Sequence, residues 1–178
     1  YIQTFEKNLD VIHPPKVTKC SNKPYTKVSF TPDLVRFGIE NISEAMIRLF
    51  QKRTYDIAGI TEKTIKVKYN KQQIPIKGFE QYVDLYIGSK SDTPRAFEQA
   101  NERWSYAVCL TPSDEFVQVS FVNGICTLKG GRHVEYITNQ IIKKLCAIIK
   151  KKKKIDVKSS AIKEQLMIFV NSTIENPA

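Results

Sequence analysis

"SFVNGICTLKGGRHVEYITNQIIKKL" (residues 120–145) decides the fold, because an apolar segment passes through two adjacent glycines into a long amphipathic pattern. The apolar residues after the glycines recur at the spacing of one helix face, so the pattern predicts a helix that continues into the lysines from position 150. The predicted face comprises Val134, Ile137, Ile141, Ile142, Leu145, Ile148 and Ile149.

Gly130 and Gly131 raise the question of a phosphate-binding loop. Their surroundings, "LKGGRHVEY", contain neither the G-x-G-x-x-G fingerprint nor a P-loop. A phosphate could still dock on the free N–H groups at the start of the helix. A tight turn from strand to helix is the favoured interpretation.

The charge of the chain is concentrated in one segment. The 178 residues are 42% hydrophobic, enough for a real core, and carry 28 Lys+Arg against 18 Asp+Glu, a net charge of +10. Nine lysines and one acid, Asp156, lie between Lys143 and Lys163. This excess predicts a polyanionic partner, although a basic protein without such a partner is the alternative.

The cysteines and histidines do not have the spacing of a metal site. Cys20, Cys109, Cys126 and Cys146 are scattered without a C-x-x-C, and His13 and His133 stand apart from them. We therefore expect reduced thiols in an intracellular compartment, with Cys109 and Cys126 acting as small buried apolar residues. No run approaches 18 apolar residues, and no signal peptide or initiator Met is present, so we expect an excerpt of a longer protein with no membrane partner.

Alternating elements are predicted for the first half of the chain. "TKVSF" (26–30) predicts a strand, and "TIKVKY" (64–69) predicts a second one, followed by a turn at "NKQQ". "ENISEAMIRLFQKRTYDIAG" (40–59) predicts a helix with a capping box at Asn41 and Glu44 and a stop at Gly59. Helical spacing is shown by Met46, Leu49, Phe50, Arg53 and Ile57.

The second half predicts a helix, a loop and three strands. "KGFEQYVDLYIG" (77–88) has helical spacing, and Ser89 to Glu102 has the composition of a loop. "RWSYAVCLT" (103–111) and "FVQVSFVNG" (116–124) predict a hairpin through "PSDE", and "QLMIFVNSTI" (165–174) predicts a last strand. This order is mixed, too irregular for a doubly wound sheet. A shared core is expected for Trp104, Val108, Phe121, Ile137, Ile141 and Leu145.

Four motifs in register resemble the eukaryotic-type type II DNA topoisomerases. They are "YDIAG" (55–59), "IKGFEQYVDLY" (76–86), "SFVNGICTLKGGRHVEYI" (120–137) and "IFVNSTIENP" (168–177), and "YIQTF" (1–5) fits as well. The resemblance implies an α+β fold. Residues 1–74 would be the C-terminal part of a GHKL ATPase α/β sandwich, and residues 75–178 most of a transducer with a ribosomal S5 domain 2-like fold. The divergence elsewhere indicates a distant lineage, for which a large DNA virus is our candidate.

The resemblance also implies a function. The chain would be part of a homodimeric, ATP-dependent enzyme that changes DNA topology by double-strand passage, and this segment would relay closure of the ATPase domains to the DNA gate. ATP and Mg²⁺ would be held by residues before "YIQTF" and by a Gln-Thr-Lys loop after "IENP", so no catalytic, cofactor-binding or metal-binding residue is expected in this chain. The implied location is the nucleus for a cellular enzyme and the host cytoplasm for a cytoplasmic virus.

The lysine run is the candidate DNA-binding site. In the family a short lysine-rich loop after the long transducer helix faces the DNA gate, and the matching positions are Lys150, Lys151, Lys152, Lys153 and Lys154. The alternative is a solvated helix end, where cations complement the helix dipole. Lys143 and Lys144 are interpreted as the solvent face of the helix, and Lys158 and Lys163 stay open.

Two other functions remain as alternatives. One is a stand-alone S5-like module that binds RNA or DNA through its lysine segment. The other is a sister GHKL ATPase of the mismatch-repair or chaperone type, against which "GGRHVEYI" and "IENP" argue.

Overall fold

A five-stranded sheet carries the architecture of the second half of the chain. The computed structural model describes residues 1–176; Pro177, the end of the "IENP" motif, and Ala178 lie outside them. The strands are β1 (Phe5–Glu6), β2 (Val11–Ile12), β3 (Lys68–Tyr69), β4 (Gln72–Gln73), β5 (Arg95–Asn101), β6 (Trp104–Leu110), β7 (Val117–Val122), β8 (Ile125–Cys126) and β9 (Leu166–Ser172). The helices are α1 (Glu44–Ile60), α2 (Phe79–Ile87), α3 (Arg132–Lys153) and α4 (Ser159–Glu164).

The last strand occupies the middle of this sheet, whose order is β5-β6-β9-β7-β8. β9 pairs antiparallel with β6 and parallel with β7. The predicted hairpin between β6 and β7 is therefore wrong, since β9 lies between them. A strand buried on both faces is a near-continuous apolar run, and "LMIFV" has that composition.

The segment from Ser89 to Glu102, predicted as a loop, contains the edge strand β5. β5 pairs antiparallel with β6 from Arg95↔Cys109 onward, with a register shift between Gln99 and Asn101. In the described part of the chain β5 has a partner strand on one side only, and most of its residues are exposed.

Two apolar clusters pack on opposite faces of the sheet. Buried residues of the first cluster come from α1, α2 and the sheet and include Phe79, Val83 and Phe169. The second cluster lies under α3 and α4 and includes Ile137, Ile142 and Ile168. The expected shared core is confirmed for Trp104, Val108, Ile137, Ile141 and Leu145, which belong to the second cluster. Phe121 is the exception, because it packs in the first cluster beside Tyr82.

Helix α1 begins and ends differently from the prediction. Ser43, not Asn41, accepts a hydrogen bond from the Met46 N–H at 3.3 Å. Gly59 lies inside the helix, where a Cβ would come within 2.6 Å of Tyr82 in α2, so the glycine permits close packing rather than stopping the helix. The face predicted from the helical spacing is largely exposed, with Leu49 at 61% and Phe50 at 50%. The buried residues of the helix are Asp56, Ala58 and Gly59.

The strand predicted over 64–69 is reduced to a two-residue hairpin. β3 pairs with β4 across Asn70 and Lys71, whose φ angles of 47° and 69° are those of a tight hairpin turn. Val67 and Tyr69 pack against the first cluster, whereas Ile65 is exposed. The helix predicted over 77–88 is confirmed as α2, with Phe79, Tyr82 and Val83 buried.

The chain divides into two units, of which the first is Tyr1–Ile47 and the second begins at Arg48. The first unit contains the β1–β2 ladder and an antiparallel bridge between Ile2 and Lys16. No strand forms over 26–30, where Val28 and Phe30 are more than four-fifths exposed. The domain boundary expected after residue 74 stays a prediction.

Candidate nucleic-acid interface

The lysine run forms the end of α3. Lys150 to Lys153 make up the last turn, and Lys154 is the C-cap, in the left-handed conformation at φ 56° and ψ 31°. Its N–H donates to the Lys150 carbonyl at 2.9 Å, a common way for a helix to end. The implied lysine-rich loop is therefore corrected: the run belongs to the helix, and only its last residue departs from helical geometry.

Two features compensate the positive charge of this turn. The exposed carbonyls at the C-terminus of α3 carry the negative end of the helix dipole, which favours cations. Lys150 Nζ also lies 2.9 Å from Asp156 Oδ1, with both side chains about two-thirds or more exposed. Such an exposed ion pair contributes little, so a phosphate can replace the carboxylate at small cost. All five lysines are exposed.

The two glycines at the other end of α3 turn the chain, as predicted. Gly130 has a φ of 73° and Gly131 a φ of 149°, values that residues other than glycine rarely adopt. A Cβ on Gly131 would lie 3.1 Å from the His133 ring, so the protein itself occupies the space beside the turn. The turn therefore does not have the geometry of a phosphate-binding loop.

His133 anchors this turn to the sheet. Its Nε2 lies 3.0 Å from Thr127 Oγ1, and the Thr127 hydroxyl also bonds with Ser120. Gln118 Nε2 donates to the carbonyls of Thr127 at 3.2 Å and Leu128 at 3.0 Å. Burial lowers the pKa of His133 below its ordinary value, so the neutral ring is favoured.

A buried polar network joins α1 to α2. Asp56 is 3% exposed and accepts hydrogen bonds from Lys52 Nζ at 3.0 and 2.9 Å and from the Tyr82 hydroxyl at 2.6 Å. Tyr82 is in turn 2.9 Å from the Tyr86 hydroxyl. Burial raises the pKa of Tyr82, and its bonds to Asp56 and Tyr86 raise the pKa further.

Sequence reasoning missed this network, because the spacing of residues 77–88 predicts a helix and gives no partner for its tyrosine hydroxyls. Tyr82 does pack, but its hydroxyl also bonds a carboxylate across two helices. A lysine four residues before a buried aspartate was the available signal. A second link starts at Arg53, whose Nη2 donates to the Gly124 carbonyl at 2.6 Å and ties α1 to the β7–β8 turn.

The four cysteines are free thiols. Cys109 is buried, and Cys126 is half-buried. Burial raises the pKa values of both thiols. Within residues 1–176 there is no group of three or more His, Cys, Asp or Glu side chains placed to hold a metal ion. In the same range, no helix is long and apolar enough to cross a membrane.

Comparison with known proteins gives consistent matches. The family model described as DNA gyrase B matches residues 78–178. DNA topoisomerase 2 of Arabidopsis thaliana is 44% identical over 186 residues, covering all of this chain and 13% of that protein. DNA topoisomerase 2 of Saccharomyces cerevisiae is 43% identical over 195 residues, again covering all of this chain and 14% of the relative. The chain thus spans about one-seventh of the length of these relatives.

Solved structures match the fold along nearly the whole chain. The ATPase region of Saccharomyces cerevisiae topoisomerase II superposes with a TM-score of 0.88 at 43% identity, covering 99% of this chain and 45% of that one. The ATPase and transducer domains of DNA topoisomerase II from Balamuthia mandrillaris give a TM-score of 0.83 at 30% identity, with 99% and 46% covered.

Proposed function

The chain belongs to the type II DNA topoisomerase family, within the ATPase and transducer region, and from that premise we propose that it acts in an ATP-dependent enzyme that changes DNA topology by double-strand passage. The observation that carries the proposal is the match to a solved topoisomerase II ATPase region over 99% of the chain at 43% identity. The same coverage favours this function over a stand-alone nucleic-acid-binding module or a sister ATPase.

We propose that this segment relays movement from the ATPase domain to the DNA gate. α1 is fixed to α2 by the buried Asp56 network and to the β7–β8 turn by Arg53. Across the sheet, the 22 residues of α3 span about 33 Å from the glycine turn to the lysines. These contacts support a rigid path by which a displacement of α1 would reach the end of α3.

The lysine end of α3 is proposed to contact double-stranded DNA. Exposed ammonium groups bind backbone phosphates without reading the bases, so this contact would position DNA and sense its presence at the gate. Five lysines on so short a segment cannot all reach phosphates, and about two or three contacts are expected.

The remaining parts of the proposal concern groups outside this chain. ATP with Mg²⁺ would be held by residues that precede and follow it in the complete homodimeric enzyme, so the 178-residue chain alone should neither bind nor hydrolyse ATP. Calorimetry with a non-hydrolysable ATP analogue and magnesium tests this, and a micromolar site would contradict it. The nucleus, or the host cytoplasm for a virus, stays the predicted location, and the viral lineage stays a prediction.

The test of function uses the complete enzyme that contains this chain. The parent should relax supercoiled DNA only when ATP is present. Replacing Lys150 to Lys154 by alanine should lower the stimulation of ATP hydrolysis by DNA and leave DNA-free hydrolysis nearly intact. ATP-independent relaxation would contradict the proposed enzyme. Unchanged stimulation in the alanine variant would contradict the proposed role of the lysines.

A further inference from the structure

An open groove lies between α3 and α4, next to the lysine turn but separate from it. Its volume is about 430 Å³, and its floor is apolar, with Ile142 and Cys146. Its rim carries Asn139, Lys143, Ser159, Ser160 and Lys163. Two ammonium groups, two hydroxyls and an amide therefore surround a concave surface that contains no carboxylate among its lining residues.

The two lysines of the groove come from different helices. Lys143 belongs to α3 and Lys163 to α4, and both are exposed. Lys163 Nζ lies 5.0 Å from the centre of the Phe116 ring, which holds this side chain at the rim. Cys146 Sγ donates a weak hydrogen bond to the Val157 carbonyl at 3.8 Å, a contact between α3 and the segment that leads to α4. The two lysines are thus carried by helices that pack against each other.

The groove face of α3 continues into part of the lysine run. Asn139, Ile142, Lys143 and Cys146 have the spacing of one helix face, and Lys150 and Lys153 lie four and seven residues beyond Cys146. At 3.6 residues per turn these two lysines extend the same face. Lys151 and Lys152 are rotated from Cys146 by about 140° and 120° in opposite senses.

The distances suit the backbone of a duplex. Lys143 and Lys150 are separated by about 10.5 Å along the helix axis. One DNA strand presents a phosphate every 3.4 Å of axis, so this separation spans about three nucleotides. Acidic side chains near the track are Glu135, on the same face four residues before Asn139, Asp156, paired with Lys150, and Glu164, which follows Lys163.

We propose that the α3–α4 groove, through Lys143 and Lys163, binds backbone phosphates of the same duplex that Lys150 and Lys153 contact, while Lys151 and Lys152 point away from it. The inference rests on the proposed DNA contact at the end of α3. It also reassigns Lys143 from the solvent face of the helix to a phosphate-binding groove. The serine hydroxyls and the Asn139 amide supply further donors to phosphate oxygens.

The test compares three double variants of the 178-residue chain that remove the same charge. They are Lys143→Gln with Lys163→Gln, Lys150→Gln with Lys153→Gln, and Lys151→Gln with Lys152→Gln. Glutamine keeps a polar side chain, and circular dichroism with thermal unfolding checks that each variant folds. Fluorescence anisotropy with a mixed-sequence DNA duplex measures the affinity from about 50 to 200 mM salt.

The groove variant and the Lys150/Lys153 variant should each lower the slope of log affinity against log salt by about 1.8. Raising the salt from about 50 to 200 mM should therefore weaken DNA binding by the parent about 12-fold more than binding by either of these two variants. The Lys151/Lys152 variant should keep nearly the parental slope.

Three results overturn the inference. Equal losses in all three variants would mean a general positive field rather than a track. A parental slope in the groove variant together with a loss in the Lys150/Lys153 variant would remove the groove and leave the proposed DNA contact standing. Absence of duplex binding by the parent at 50 mM salt would remove both.

Discussion

Along α3, the first turns pack against the protein while the last turn faces solvent. His133, Val134, Ile137 and Thr138 are all buried, and the Thr138 hydroxyl donates to the Val134 carbonyl at 2.7 Å. Lys150 to Lys154 are all exposed, and Lys150 pairs with Asp156. The first end of the helix is thus held by packing, whereas the last end is exposed. Changes at the first end should cost stability, and changes at the second should alter binding.

Truncation of a buried residue of α3 should give the largest effect. Ile137 is 8% exposed and packs in the cluster under the helix, so Ile137→Ala should lower the free energy of unfolding by about 2–5 kcal/mol. Ile148→Ala, nearer the lysine end and 48% exposed, is the matched control and should cost much less. Urea denaturation compares the two, and similar losses would abolish the distinction between the ends.

The glycine turn should be nearly as sensitive. At Gly131, φ is 149° and a Cβ would meet the His133 ring at 3.1 Å, so Gly131→Ala should cost about 1–3 kcal/mol. Gly130→Asn is the control, because asparagine tolerates the φ of 73° and the nearest atoms are 3.7 Å away. If thermal unfolding shows Gly131→Ala to be as stable as the parent, the turn is not held by its shape.

The opposite result is expected at the lysine end. Alanine at Lys150 to Lys154 should change stability by less than about 1 kcal/mol, since exposed charges contribute little. It should remove about two or three phosphate contacts, which make binding to duplex DNA about 12- to 40-fold weaker between 50 and 200 mM salt. In anisotropy titrations the slope of log affinity against log salt should therefore be smaller in the variant than in the parent by about 1.8 to 2.7. Equal slopes would reduce the run to a solvated helix end.

The smallest expected effect is a pH dependence at the packed end. Because burial lowers the folded-state pKa of His133, the unfolded state binds its proton more readily, and stability is fully present above the ordinary pKa of 6.5. Below that pH the contribution is lost, by up to about 1.4 kcal/mol per pH unit, until the folded-state pKa is reached. Urea midpoints for the parent and for His133→Gln, measured from pH 7.5 to 5, should converge on acidification. Parallel curves would show that His133 is not responsible.

The sequence predicted α3, α2 and β9 because each carries an uninterrupted apolar pattern. β5 was missed because it is an edge strand, whose exposed polar residues resemble those of a loop. The error at β6 and β7 has another cause: consecutive strands usually pair, and nothing local shows that the strand beginning at Leu166 will separate them. For "TKVSF", alternation alone predicted a strand, yet Val28 and Phe30 are exposed in residues 1–47.

The candidate site was predicted in part. The lysines were found by their charge, but their helical conformation was not, because a family loop was carried over to a run with good helix propensity. The groove is formed by two helices and the connection between them, so no single segment of sequence predicts it. Gly59 was wrongly predicted to end the helix. Its real role depends on a contact with Tyr82, more than twenty residues away in the sequence, which no local pattern shows.

Because β9 lies in the middle of the sheet, the sheet cannot be completed until the last part of the chain has been synthesised. β6 and β7 leave the ribosome long before residues 166–172, yet the two strands can join one sheet only through those residues. Until then β6 can pair with β5 alone, and the parallel edge of β7 stays open to other chains. Contacts over such separations form slowly, so the nascent chain must hold its apolar strands exposed while α3 is still being made.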